Sequence, residues 1–122
     1  MKTKEQNYKK GRGGEEIALN YLTNKGLVLI EKNFSIDKGM KGEIDLIMND
    51  KDWLVFVEVK FKSDDRFGIP EEMIDRRKLA QIKRVAEIYL MKKPEMRKLF
   101  VKYRIDAVCI LGGEIRYYAN LF

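Results

Sequence analysis

Glu58 and Lys60 stand in the middle of VFVEVKFK (residues 55–62), a run that otherwise reads as an interior strand of Val55, Phe56, Val57, Val59 and Phe61. An ionised side chain in such a strand is costly unless it is paired or coordinates a metal. Side chains alternate along a strand, so Glu58 and Lys60 share a face. The preceding apolar segment, EIDLIM (43–48), presents Glu43 and Asp45 in the same way, and only the polar NDKD (49–52) separates the two segments. So short a link predicts an antiparallel neighbour pair with Asp45 close to Glu58. Two or three carboxylates and one ammonium would then converge within an apolar sheet.

Like charges that close raise one another's pKa unless a cation neutralises them, and oxygen ligands without Cys or His suit Mg²⁺ or Mn²⁺. An ion of this kind polarises a phosphoryl oxygen, and a neighbouring lysine orients water or stabilises charge on the phosphoryl group. The chemistry implied is phosphodiester hydrolysis. For each acid taken alone a simpler account stays open: Glu58 pairs with Lys60 or with a helix lysine, and Asp45 caps a turn.

Composition narrows the alternatives. The chain of 122 residues contains no histidine, which removes Ser-His triads, histidine zinc sites and the usual general base. Its single cysteine, Cys109, lies in the apolar run DAVCI and reads as a buried structural thiol. A formal charge of +6 favours a polyanionic partner, of which nucleic acid is the commonest. No apolar run approaches the ~20 residues of a membrane-spanning helix, and the opening MKTKEQNYKKGRGG lacks the apolar stretch of a signal peptide. The expectation is a cytoplasmic protein with no membrane partner.

The elements that must position these residues follow from periodicity. Residues 1–12 are rich in lysine without a hydrophobic period and read as a flexible basic N-terminal arm, followed by a single domain over 13–122. A helix is predicted from about Gly14 to Lys25, ending at Gly26, then strands over 27–36, 43–48 and 53–62. SDDRFGIP (63–70) reads as a loop. Within it Phe67 is expected as a buried anchor, with a wedge against nucleic-acid bases as the alternative. A helix over 71–91 carries Leu79, Ile82, Ala86 and Tyr89 on one face, and a strand hairpin turns at Gly112-Gly113. The order is α-β-β-β-α-β-β, an α/β fold with a mixed sheet flanked by helices. Arg104 and Asp106, alternating on the first strand of that hairpin, read as a structural ion pair.

With these motifs in place, GEIDLI (42–47) followed by VFVEVKFK resembles the split acidic motif and E-x-K of the PD-(D/E)xK nucleases, which have the restriction-endonuclease-like fold. Asp45 matches the D, Glu58 the (D/E) and Lys60 the K. The longer succession GRGGEEIALNYLTNKG, NF, GEIDLI, VFVEVK, FGIPEEMIDRRK and YRIDAV is similar to the YraN-like family of small bacterial proteins, over about residues 11–118. That family is related to archaeal Holliday-junction resolvases, which implies a metal-dependent DNA endonuclease acting on branched or damaged DNA. The resemblance implies Asp45 and Glu58 as ligands of Mg²⁺ or Mn²⁺, Lys60 as a catalytic group, and a further ligand glutamate on the first helix. Of the two candidates there, Glu15 falls on the side of Ala18, Leu19 and Leu22, whereas Glu16 points away. A helix N-terminal charge is the alternative role for Glu15. Glu43 is an additional ligand, a group supporting the ligands, or a solvated acid at the strand's start.

Lys9, Lys10, Arg12, Lys62, Arg76, Arg77 and Lys78 are the candidate phosphate contacts, with Lys83 and Arg84 on the same helix; a merely solvated face is the alternative. The resolvases cut as dimers, which implies a homodimer by analogy. Two other functions compete: a non-catalytic nucleic-acid-binding protein of the same fold, and an assembly protein with an acidic partner.

Overall fold

The computed structural model describes the backbone of residues 4–36 and 42–121, and side chains from residue 13 onward. Five strands form one sheet in the order β1-β2-β3-β4-β5, with bounds β1 Val28–Ser35, β2 Glu43–Asp50, β3 Trp53–Lys62, β4 Lys102–Leu111 and β5 Glu114–Tyr118. The first three strands are antiparallel neighbours, as are β4 and β5, whereas β3 and β4 run parallel. A parallel pair requires a long crossover, and helix α2 (Arg76–Lys92) supplies it. The mixed sheet flanked by helices is the α/β architecture expected from the sequence.

Alternation along the central strand divides the core in two. Val55, Val57 and Val59 pack with Ala18 and Leu22 of helix α1 (Lys4–Asn24) on one face. Leu54 and Phe56 pack with Ile82, Val85, Ala86 and Tyr89 of α2 on the other. Gly14 lets α1 come close to β3: a Cβ at that position would lie 3.1 Å from the Cβ of Phe61.

Three elements differ from expectation. Helix α1 begins at Lys4 rather than near Gly14. Lys, Glu and Gln are good helix formers, and their propensity carries the helix through a segment whose lack of a hydrophobic period argued for an arm. The side chains of residues 1–12, with Lys9, Lys10 and Arg12 among them, lie outside the described residues. The predicted helix over 71–91 is a 3₁₀ turn at Pro70–Met73 followed by α2, because the Asp75 side chain accepts from the Lys78 backbone N–H and caps a new start. A short helix α3 (Pro94–Leu99) follows α2 directly, since proline at a first helical position begins a helix as readily as it ends one.

The 3₁₀ turn is tied to β5. Arg116 donates to both carboxylate oxygens of Glu71, Nε to Oε2 at 2.5 Å and Nη2 to Oε1 at 2.7 Å, and the Tyr118 hydroxyl donates at 2.6 Å. These bonds hold the Glu71 carboxyl down at about 2, the guanidinium contributing most. Cys109 is fully buried, and burial pushes its thiol up to about 11, as a structural cysteine requires. Among the described residues no helix is long and apolar enough to cross a membrane.

Candidate active site

The β2–β3 ladder is paired from Asp50↔Trp53 as far as Leu46↔Val57 and stops there. At the next step the Asp45 side chain takes over, its Oδ2 accepting from the Val59 backbone N–H at 2.8 Å. The two strands therefore part where Asp45 and Glu58 would otherwise face each other, and the gap between them holds both carboxylates.

Glu58 alternates with Val57 and Val59, so it opens on the α2 side of the sheet. Only 4% of it is exposed. Lys60 of the same strand places Nζ 3.7 Å from its Oε1, and Lys78 of α2 places Nζ 3.7 Å from its Oε2. Both are ion-pair distances too long for hydrogen bonds, and Glu58 Oε2 is left buried with no hydrogen-bond partner. Burial, then the charge of Asp45 and a hydrogen bond to it, push the Glu58 carboxyl up to about 8, while Lys60 and Lys78 pull the other way.

Asp45, Glu58 and Lys60 are thus brought together as the spacing predicted. Lys78 joins them, a residue that the sequence suggested only as a phosphate contact. It caps no turn with its side chain; Nζ also donates to Gln81 Oε1 at 3.3 Å, which fixes it over Glu58. Its membership is written in the packing of α2 across β3. The only sequence signal for it was the general alternative that Glu58 pairs with a helix lysine.

Glu15 is half-buried on α1, and Glu16 is exposed beside Lys32 at 3.4 Å, so the helical-face choice between them agrees with their burial. However, α1 covers the valine face of β3, opposite the one on which Glu58 opens. Among the described residues no three Asp, Glu, Cys or His side chains stand close enough to hold one metal ion. The three-acid cluster expected with Glu15 is therefore reduced to the pair Asp45 and Glu58. Glu43 is exposed at the start of β2. Arg76, Arg77, Lys83 and Arg84 are exposed on α2, and Lys62 donates to the Phe67 carbonyl at 3.0 Å.

The fit to a divalent ion rests on Glu58 Oε2. A buried carboxylate oxygen with no hydrogen-bond donor, beside a second carboxylate, leaves a coordination position that the lysines, at ion-pair distance, do not fill. Mg²⁺ is commonly held by one or two carboxylates together with water and substrate phosphate, so Asp45 and Glu58 suffice in kind and number.

A second buried acid, Asp106 on β4, has a different environment. Its Oδ1 and Oδ2 accept from Arg104 Nε at 3.1 and 3.2 Å, Oδ2 accepts from the Tyr117 hydroxyl at 2.5 Å, and Oδ1 from the Asn120 N–H at 2.8 Å. Arg104 passes its Nη2 to Asp50 Oδ2 at 2.8 Å. The Arg104–Asp106 ion pair read from strand alternation is present, and it is closed on itself.

Compared with known proteins, the chain matches the model of "Uncharacterised protein family UPF0102" over residues 14–110. A UPF0102 protein of Syntrophomonas wolfei is 40% identical over 116 residues, covering 92% of this chain and 96% of that protein. One from Dictyoglomus thermophilum is 36% identical over 119 residues, with 92% and 95% covered, and one from Persephonella marina is 37% identical over 113 residues, with 93% and 92% covered.

Proposed function

Because the chain belongs to the UPF0102 family, the YraN-like one, and carries this site, we propose that it is a metal-dependent DNA endonuclease that hydrolyses phosphodiester bonds. The observation that carries the reading is the buried, incompletely satisfied Glu58 beside Asp45 with two lysines over it. Asp45 and Glu58 would hold Mg²⁺ or Mn²⁺, which supplies Lewis acidity toward a phosphoryl oxygen. The Val59 N–H fixes Asp45 in the gap between the strands, so the carboxylate is preorganised. Lys60, 22% exposed, reaches from the buried acid toward solvent and is the group placed to orient the attacking water or to meet charge on the phosphoryl oxygens. Lys78, 26% exposed, stands on the other side of Glu58 as a second cation for the same phosphate. The exposed basic residues of α2 would bind flanking phosphates, with the steep salt dependence that such contacts bring. Branched or damaged DNA is the substrate class suggested by the resemblance to resolvases.

One observation favours a second reading, a nucleic-acid-binding protein without catalysis: the described residues bring two acids together rather than three. The test is cleavage of a panel of branched, nicked and linear DNA with Mg²⁺ or Mn²⁺. The wild type is expected to cut, and Asp45→Ala and Lys60→Ala to lose about a hundredfold or more. Binding retained in every protein, with cutting by none, would establish the second reading.

A further inference from the structure

The segment that follows β3 places an aromatic ring where folding alone would not. Phe67 is 90% exposed, against the expectation of a buried anchor. The ring is held out by a shaped turn. Lys62 Nζ donates to its carbonyl, the Gly68 N–H donates to the Asp65 carbonyl at 3.1 Å, and Asp64 Oδ1 accepts from the Arg66 N–H at 3.1 Å. Gly68 adopts φ +102°, a backbone conformation that is strained for residues with a side chain, so the turn favours glycine there. The Glu71–Arg116 pair anchors the next turn of chain to β5.

Between Phe67 and the end of β3 lies a recess of about 250 Å³ lined by Phe61, Lys62, Ser63, Asp64 and Phe67. It is smaller than the ~300–1,000 Å³ typical of sites for drug-sized ligands, which suits one planar ring system. Phe61 and Phe67 offer ring surface for stacking, and Lys62, Ser63 and Asp64 offer polar groups. Lys62 shares a strand face with Lys60, one side-chain repeat away, or roughly 7 Å along β3. The recess thus lies at the end of β3 just beyond Lys60, with Lys62 on the face of Glu58 and Phe61 on the α1 face.

We propose that this recess takes a single unpaired nucleobase of the DNA substrate, stacked on Phe67, and so directs cutting to the phosphate beside an unstacked step. The inference rests on the nuclease reading for its substrate, but its own evidence is the exposed ring and the recess. A base in continuous duplex is already stacked on both faces and would have to be extruded, whereas a bulged or junction base has lost that stacking. Stacking on an aromatic side chain is tolerant of base identity, so the preference is for local structure rather than sequence.

The test separates the slot from the chemistry by measuring binding without divalent metal. Fluorescence anisotropy compares a DNA duplex carrying one unpaired base with the fully matched duplex, for wild type, Phe67→Ala and Phe67→Trp. The wild type is expected to prefer the unpaired base about tenfold, Phe67→Ala to lose that preference, and Phe67→Trp to keep it. Phe67 is exposed, so Phe67→Ala should fold normally, and its melting curve checks this. Equal affinity of the wild type for both duplexes, or a preference that survives in Phe67→Ala, overturns the proposal. The same duplexes with Mg²⁺ test the other reading: a preference in binding without any cleavage would sink the nuclease and leave the slot, and cleavage without preference would do the reverse.

Discussion

Glu58 and Asp106 are buried acids on adjacent parallel strands, offset by one step of register, since Val57 pairs with Asp106 and Glu58 with Ala107. The offset turns them to opposite faces of the sheet. On the α1 side Asp106 receives a guanidinium, a phenol and a backbone N–H, and burial together with Asp106 pushes the Tyr117 phenol up to about 12. On the α2 side Glu58 has two ammonium groups at ion-pair distance, a second carboxylate against it, and an oxygen with no donor. Both acids are equally hidden from water, so burial does not distinguish structure from function here. The distinction lies in whether the donors close the charge: a satisfied acid stabilises the fold, whereas an unsatisfied one is held in place by the fold for something that is to arrive.

Replacing each acid should therefore move stability in opposite directions. Asp106→Ala leaves Arg104 Nε, the Tyr117 hydroxyl and the Asn120 N–H without their acceptor, and urea denaturation is expected to register a loss of about 3–5 kcal/mol. A loss below about 1 kcal/mol would mean that the Asp106 network is not the closed structural unit described.

Glu58→Gln should do the reverse, and only at high pH. The folded-state pKa is raised from the ordinary 4.5 to about 8, so between these values the native state binds the proton and the unfolded state does not. Stability in the absence of metal is then fully present below 4.5 and falls as pH rises through about 8. Glu58→Gln lacks this slope. Around pH 9 it should exceed the wild type by on the order of 5 kcal/mol, while near pH 5 the two should differ by no more than about 1 kcal/mol. Parallel stability–pH curves for the two proteins would show Glu58 to be as well satisfied as Asp106.

What the sequence made legible follows the range of each interaction. The β2–β3 hairpin and the meeting of Asp45 with Glu58 are local, set by period-two alternation and a short polar link, and both were readable. So was the Arg104–Asp106 pair, two residues apart on one strand. Lys78 was not readable as a member of the site, because its place depends on how the crossover helix lies on the sheet. Where Glu15 lies relative to the acids was not legible for a related reason: helical periodicity gives the face that turns inward, but not which side of the sheet the helix covers. Phe67 was misread because an aromatic residue beside Gly and Pro usually anchors a loop. Here the loop is anchored instead by Lys62 and by Glu71, which leaves the ring outside.

The central claim is that Glu58 and Asp45 hold a divalent ion, and thermal melting with and without Mn²⁺ addresses it without requiring the natural substrate. An ion that binds only the folded state raises its stability by mass action, about 2.7 kcal/mol at a hundred times the dissociation constant. The account predicts that Mn²⁺ raises the melting temperature of the wild type and of Asp106→Asn, and leaves Glu58→Gln and Asp45→Asn unmoved. An equal rise in all four proteins, or no rise in the wild type, would contradict it.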